Sequence, residues 1–207
     1  MIEVNIELEG TNQTYQVPEN WDEVTVRKFM NVYRYKNPNN NELLGAVNLI
    51  SALSDIESGV LLQMDIDDFK NLVTKVTFIT QEVPQQDVDY IELGGDKYFL
   101  YTEFNKLTTG EVITIETLLD SVEFDVHKIM ADLICLFLRK KDNEGRFEKF
   151  TTEMLKRKEL FLDVPITQIY HVFSFFSIGG LSSPSSMKAS TKNNDQSMTP
   201  KEDLQKN

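Results

Sequence analysis

Cysteine and histidine are the scarcest chemically active residues in this chain. Its 207 residues include one cysteine, Cys135, and two histidines, His127 and His171. One cysteine excludes an internal disulfide framework and any multi-cysteine zinc or iron–sulfur site, and it is compatible with a reducing compartment. Two histidines exclude a three-histidine zinc site. We therefore expect neither a cofactor nor a metal site.

Positive charge is also in short supply. Lys and Arg number 21 against 33 Asp and Glu, which gives a net charge of −12. A body of that charge repels the phosphate backbone at long range, so we expect no nucleic-acid partner. The sequence has no run of about 18 apolar residues, and residues 1–5 lack the basic and apolar regions of a signal peptide. We therefore expect no membrane partner and no export.

The composition is that of a folded protein. Hydrophobic residues make up 41% of the chain, and 13 Phe and 7 Tyr would expose too much apolar surface unless most of them were packed. The length fits one domain or two small ones.

A short internal repeat suggests how the chain is organised. The segment 6–10, Ile-Glu-Leu-Glu-Gly, recurs at 91–95 as Ile-Glu-Leu-Gly-Gly. Alternation of apolar and polar residues in both regions predicts a β-hairpin in each. Thr25 and Thr108 follow the two hairpins and stand where a hydroxyl can cap an amphipathic helix.

The predicted fold is α+β and helix-rich, with two similar modules and a polar tail. Each module contains a β-hairpin followed by about three helices, including an apolar one at 43–53 or 126–138, and Asp65 or Asp67 and Pro165 stand at the start of the last helix. The predicted boundaries are 1–79 for the first module, 80–89 for a proline-broken linker, 90–180 for the second module and 181–207 for the flexible tail.

The candidate chemical groups favour structural roles. The acidic cluster Asp65, Asp67 and Asp68 lacks the turn glycine of a calcium-binding loop and is better explained as helix capping. Cys135 lies between Ile134 and Leu136, where burial would raise its pKa and make it a poor nucleophile. No motif for a catalytic serine, a phosphate loop or a zinc protease occurs. We predict a non-enzymatic protein with no catalytic residues.

Two basic runs and one aromatic run are the candidate partner-binding segments. The basic runs are residues 139–141 and 156–158, and each could end a helix, so a favourable interaction with the helix dipole explains them. They could also form one positive patch if a helix at 147–160 packed against the helix at 126–138. The aromatic run at 170–176 is too apolar all round for one core face, so it is either central or covered by another chain. The candidate partner-binding residues are Phe173, Phe175, Phe176, Lys140, Lys141, Arg157 and Lys158.

Four segments, taken together, carry a resemblance to a known group of proteins. They are Trp-Asp-Glu-Val-Thr at 21–25, Leu-Leu-Gln-Met-Asp-Ile-Asp-Asp-Phe at 61–69, Leu-Thr-Thr-Gly-Glu at 107–111 and Arg-Lys-Glu-Leu-Phe at 157–161. In order and spacing the chain resembles small acidic proteins of tailed bacteriophages, which are encoded among the virion and tail genes and resemble tail assembly chaperones or small tail-associated structural proteins. The resemblance covers about residues 2–180 and includes no catalytic motif.

The resemblance implies a protein that acts by protein–protein contacts in the host bacterial cytoplasm. Its partners would be other phage tail or virion proteins, or further copies of itself. Two alternatives stay open: a permanent structural component of the virion tail or neck, which would be located in the virion, and a small cytoplasmic enzyme or regulator.

The polar tail generates a first prediction. Residues 181–207 contain almost no large apolar side chains and cannot offset their ordering entropy by burial. Truncation after Gly180 should therefore change the free energy of unfolding by less than about 0.5 kcal/mol, the range of neutral surface changes. Thermal unfolding of the truncated and full chains measures this, and a loss of several kcal/mol would show that the tail packs.

Overall fold

An antiparallel hairpin opens the fold. The computed structural model describes residues 1–8, 10–34, 41–101, 103–122 and 126–175. Strand β1 (Ile2–Leu8) pairs with β2 (Thr11–Val17), in a register that sets Ile2 opposite Val17. Ile6 and Val17 are buried, while the polar residues that alternate with them are exposed, as the period-two pattern predicted.

A second small sheet contains three strands. Strand β3 (Ile91–Leu93) pairs with β4 (Asp96–Leu100), which pairs on its other side with the two-residue strand β5 (Leu138–Arg139). Gly94 and Gly95, with φ of 61° and 83°, join β3 to β4. Two consecutive residues with positive φ are typical of the tight hairpin turn in which glycine is favoured.

Helices supply most of the regular structure. Together with the two small antiparallel sheets they make a mixed α/β fold that is rich in helix. The α-helices are α1 (Val26–Arg34), α2 (Glu42–Leu53), α3 (Ser58–Leu61), α4 (Ile66–Lys75), α5 (Thr109–Ser121), α6 (Met130–Phe137), α7 (Lys158–Phe161) and α8 (Ile166–Phe175). Short 3-10 helices lie at Trp21–Glu23, Thr77–Thr80, Phe104–Lys106, Val126–Ile129 and Thr152–Arg157.

The predicted helix caps are present. Thr25 Oγ1 accepts from the amide of Lys28 at 3.3 Å, and Thr108 Oγ1 accepts from the amide of Glu111 at 3.3 Å. Asp65 Oδ1 accepts from the amide of Asp67 at 2.8 Å and so caps α4. Each cap satisfies an amide that the first helical turn leaves without a partner. α8 begins at Ile166, one residue later than a start at Pro165 would give.

Helix α6 lies at the centre of the core. Seven of its eight residues are buried, the exception being Asp132. The core around α6 is a single hydrophobic cluster with members from both halves of the chain, among them Phe29, Ile50 and Phe161. The predicted apolar helix at 126–138 is thus present and central, but it starts as a 3-10 helix and ends at Phe137.

The turn between α7 and α8, residues 162–165, is bonded to the start of α1. The amide of Val26 donates to the carbonyl of Val164 at 3.0 Å, and the amide of Arg27 donates to the carbonyl of Leu162 at 2.9 Å. The amide of Ile166 donates back to the carbonyl of Val24 at 2.8 Å. These three bonds, with the packing beneath them, join the two halves of the chain.

The prediction of a helix at 147–160 is wrong. The chain after β5 turns through Asp142 to Gly145 and returns to form a bridge between Lys141 and Phe147. The Asp142 carboxylate accepts from the amides of Glu144 and Arg146, both at 2.9 Å. These bonds form the turn, and the amide of Glu148 donates to the carbonyl of Lys140 at 3.0 Å, so the start of the segment lies beside residues 140–141 and is not helical. Residues 152–161 form only the 3-10 helix Thr152–Arg157 and the short α7.

The segment predicted as a linker, 80–89, is in contact with the first half and with α8. Val83 is buried, the amide of Gln86 donates to the carbonyl of Thr167 at 3.0 Å, and Gln86 Nε2 donates to Asp22 Oδ1 at 2.7 Å. The division at 79, 89 and 180 stays a prediction. The predicted tail, 181–207, lies outside the described residues.

The position of α6 leads to a prediction of stability. Leu133 and Leu136 are both almost completely buried. Replacing either by Ala should lower the free energy of unfolding by about 2–5 kcal/mol, because buried contacts are lost and a cavity remains. Urea unfolding measures the loss. The control is Leu160→Ala at an exposed position of α7, where a change as large as that at Leu133 would contradict the prediction.

Candidate functional site

The ring of Tyr98, in β4, is the point where two of the predicted basic residues meet. Lys140 Nζ lies 5.5 Å from the ring centroid and the Arg157 guanidinium carbon lies 5.9 Å from it. Lys140 Nζ also forms an ion pair of 2.6 Å with Asp96 Oδ2. The structure therefore brings Lys140 and Arg157 together, from segments separated by the turn at 142–145.

Glu148 links these two cations. Its carboxylate accepts from both terminal nitrogens of Arg157 and from the amide of Lys140, the latter at 3.0 Å. Burial opposes ionisation of Glu148, but these bonds and the charge of Arg157 outweigh burial and lower its pKa. The same pair raises the pKa of Arg157. Asp96 and Glu148 thus offset the positive charge of Lys140 and Arg157.

The other two predicted basic residues have different surroundings. Lys141 Nζ lies 4.5 Å from the ring centroid of Phe99 and 4.6 Å from that of Phe147. Lys158 Nζ lies 3.8 Å from Asp132 Oδ1. Because consecutive residues of an extended strand point to opposite faces, Lys140 accompanies Tyr98 while Lys141 accompanies Phe99. The basic run is therefore divided between two faces, and one positive patch is not formed.

The aromatic candidates cannot be placed. Phe173 and Phe175 belong to α8, but their side chains lie outside the part of the chain that the structure describes, and so does the whole of Phe176. Their role as partner-binding residues stays a prediction.

Sequence reasoning missed a buried ion pair next to the basic segments. Glu111, in the first turn of α5, and Arg139, in β5, form a salt bridge in which both side chains are almost fully buried. The guanidinium of Arg139 also stacks on Tyr101, with its carbon 3.8 Å from the ring centroid. A local signal for Glu111 exists in the sequence, because Thr108 and Glu111 have the spacing of a capping box. Nothing local identifies Arg139 as its partner.

The Glu111 carboxylate is held in its ionised form. Burial raises its pKa, but hydrogen bonds from the hydroxyl and amide of Thr108 and the bond to Arg139 outweigh burial and lower the pKa. An open cleft of about 680 Å³ adjoins the pair and is lined in part by Tyr101, Thr108 and Phe147. A carboxylate with this many fixed donors is poorly suited to exchange protons with a substrate, so its role here is structural.

Burial also shifts the pKa values of Cys135 and His171. Burial raises the pKa of the Cys135 thiol to about 12, with a further contribution from Asp132, which makes the thiolate scarce at neutral pH. Burial lowers the pKa of His171. Within the described ranges, no group of three or more His, Cys, Asp or Glu side chains is arranged to hold a metal ion.

No protein-family model, curated protein or solved structure matches this chain. The resemblance to bacteriophage tail proteins accordingly stays a prediction. Among the helices of the described residues, none is sufficiently long and apolar to span a membrane.

The buried ion pair generates a prediction with a defined pH dependence. Glu111→Gln should lower the free energy of unfolding by about 3–5 kcal/mol at pH 7, because the charge of Arg139 stays buried without its partner. The stabilisation from ionised Glu111 is complete above its ordinary pKa of 4.5. It is lost as the pH falls through the lowered pKa of the folded state. The difference between variant and wild type should therefore shrink below about pH 4.

Urea unfolding between pH 7 and pH 3 measures both effects. Glu116→Gln is the matched control, because Glu116 lies on the same helix and is exposed. If the Glu111 variant lost less than about 1 kcal/mol at pH 7, in the range of exposed ion pairs, the pair would not be a structural element of the core.

Proposed function

We propose that this chain is a non-enzymatic protein that acts in bacteriophage tail assembly through protein–protein contacts, as a tail assembly chaperone does. The observation that carries the proposal is an exposed apolar turn between α3 and α4, residues 62–65. Leu62, in this turn, is 63% exposed, and Ile66, the first residue of α4, is 47% exposed. Apolar side chains exposed at one turn offer surface on which a partner could dock.

The buried polar side chains support a docking role over a catalytic one, because each serves the fold. Ser54 Oγ donates to the carbonyl of Ile50 at 2.6 Å, and Thr167 Oγ1 donates to Asp22 Oδ1 at 2.8 Å. Glu111 and Arg139 bond to each other. Of the basic residues Lys140, Lys141, Arg157 and Lys158, three are paired with carboxylates, and their role in docking stays a prediction.

We further propose that the chain consists of two similar modules, as the internal repeat suggests. Each hairpin is followed by a three-residue 3-10 helix, and a capping Thr then starts the next helix. Later in each half a four-residue helix, α3 or α7, leads through a turn of the same length to the next helix, α4 or α8. The offset between the halves is 83 residues at the capping Thr and 100 residues at the turn, from the helix bounds.

Affinity purification from phage-infected cells tests the proposed function. The tagged chain should recover identified tail or virion proteins, and Leu62→Asp should recover at least tenfold less, because a charge at the docking site must be desolvated. Leu43→Asp, at a position of α2 that is 51% exposed, is the control and should recover the same proteins as the wild type.

Mass spectrometry of purified virions separates the two assembly roles. A chaperone should be absent from finished particles. Its presence at a fixed stoichiometry would replace the chaperone role by that of a permanent tail or neck component. Recovery of no tail or virion protein by the wild-type chain would contradict both roles.

A further inference from the structure

The contact between the α7–α8 turn and the start of α1 combines backbone hydrogen bonds with buried apolar side chains. Besides the three backbone hydrogen bonds, the turn buries the side chains of Leu162, Val164 and Ile166. On the α1 side, Val26 and Met30 are buried as well. The start of α1 is thus a surface that binds a turn of this conformation.

The α3–α4 turn has similar local structure and borders a cleft that it shares with β1, but its side chains Leu62 and Ile66 are left exposed. Leu62 and Ile66 occupy the places that Leu162 and Ile166 occupy in the covered turn. Their exposed fractions are 63% and 47%, against 8% and 0% for Leu162 and Ile166. Within the described ranges, the carbonyls of Leu62 and Met64 and the amide of Ile66 form no backbone hydrogen bond.

The start of α5 is the counterpart of the start of α1, and it too is uncovered. Thr109 and Gly110 hold its first two positions, as Val26 and Arg27 do in α1. Their amides have no acceptor among the residues that the structure describes. Ile113, in the place of Met30, is 56% exposed against 7% for Met30. The same helix start borders the cleft of about 680 Å³ described above.

We propose that the α3–α4 turn of one copy of this chain docks on the start of α5 of a second copy, and so repeats between molecules the contact that joins the two halves within one molecule. The proposal rests on the two-module arrangement proposed above. In this contact the amide of Thr109 donates to the carbonyl of Met64. The amide of Gly110 donates to the carbonyl of Leu62, and the amide of Ile66 donates to the carbonyl of Leu107.

Two sets of side-chain interactions around this contact have compatible counterparts. Within the molecule, Thr167 donates to Asp22. The counterparts of these residues are Asp67 and Asn105, so the carboxylate and its donor exchange sides. The ion pairs that Arg27 forms with Glu159 and Asp163 have uncharged counterparts. They are Gly110, Gly59 and Gln63. The intermolecular contact therefore brings no like charges together at these places.

A second copy is favoured over another partner because this chain carries both complementary surfaces. A tail or virion protein accounts for the exposure of the α3–α4 turn alone, whereas a second copy accounts for the exposure of both surfaces by one contact. Since the two surfaces differ, the contact is heterologous and runs head to tail, which generates a ring or a filament.

Sedimentation of the purified chain tests the proposal without any other protein present. The weight-average mass of the wild type should rise with concentration beyond that of a dimer. Leu62→Asp and Ile113→Glu should each sediment as monomers, because each introduces a charge into one of the two surfaces. An equimolar mixture of the two variants should form a 1:1 dimer and nothing larger, because each variant still carries the surface that the other lacks.

Two further variants make the test independent of misfolding. Thr109→Pro removes one amide donor at the first helical position, where proline is favoured, and the preceding Thr108 has φ −73° and ψ 158°, which proline allows. It should weaken association about fivefold, the worth of one hydrogen bond. Leu43→Asp should associate as the wild type does, because Leu43 lies outside both surfaces.

Several outcomes would overturn the proposal. They are a wild-type chain that stays monomeric up to its solubility limit, single variants that still associate, and a mixture of the two variants that stays monomeric. The first of these leaves the proposed role in phage assembly intact, because recovery of tail proteins from infected cells is measured separately. Conversely, failure to recover tail proteins leaves the sedimentation result intact.

Discussion

The hydrogen bonds between the α7–α8 turn and the start of α1 are the interaction on which the rest of the structure depends. They join residues 24–27 to residues 162–166, and Gln86, in the segment 80–89, bonds to the nearby residues Asp22 and Thr167. Apolar side chains from both ends of the chain can then share one cluster around α6. A chain of this length gains stability from one large core, because a larger fraction of its surface is buried than in two separate cores.

Next to that core, the buried charges of Glu111 and Arg139 are paired with each other. Glu111 and Arg139 connect α5 to β5, and Tyr101 covers the guanidinium. Outside the core, Glu148 connects Arg157 to the backbone of Lys140. These bonds hold together segments that have little regular secondary structure, such as residues 140–151. The charged residues of this region therefore stabilise its conformation, and the ones that are paired in this way are less available to bind a partner.

Local signals in the sequence predicted the elements that depend on local physics. The alternation in residues 2–8 predicted β1, and the hydroxyls of Thr25 and Thr108 predicted two helix starts, because capping needs only the next three residues. The helix expected at 147–160 failed because Phe147 and Glu148 pair with Lys141 and Lys140 across the turn at 142–145, which holds the start of the segment in an extended conformation. The pairing of Glu111 with Arg139, 28 residues apart, and the division of Lys140 and Lys141 between two faces depend on strand register, which short-range patterns do not contain.

The same connection between the ends of the chain has a consequence during synthesis. Arg27 and its partner Asp163 are 136 residues apart, and a ribosome adds about 5–20 residues per second. The start of α1 therefore waits roughly 7–27 s for the turn that covers it. During that interval Val26 and Phe29, which are fully buried in the finished fold, are exposed on the nascent chain. Until the turn emerges, the unfinished chain offers an apolar surface to any other nascent copy on the same messenger RNA.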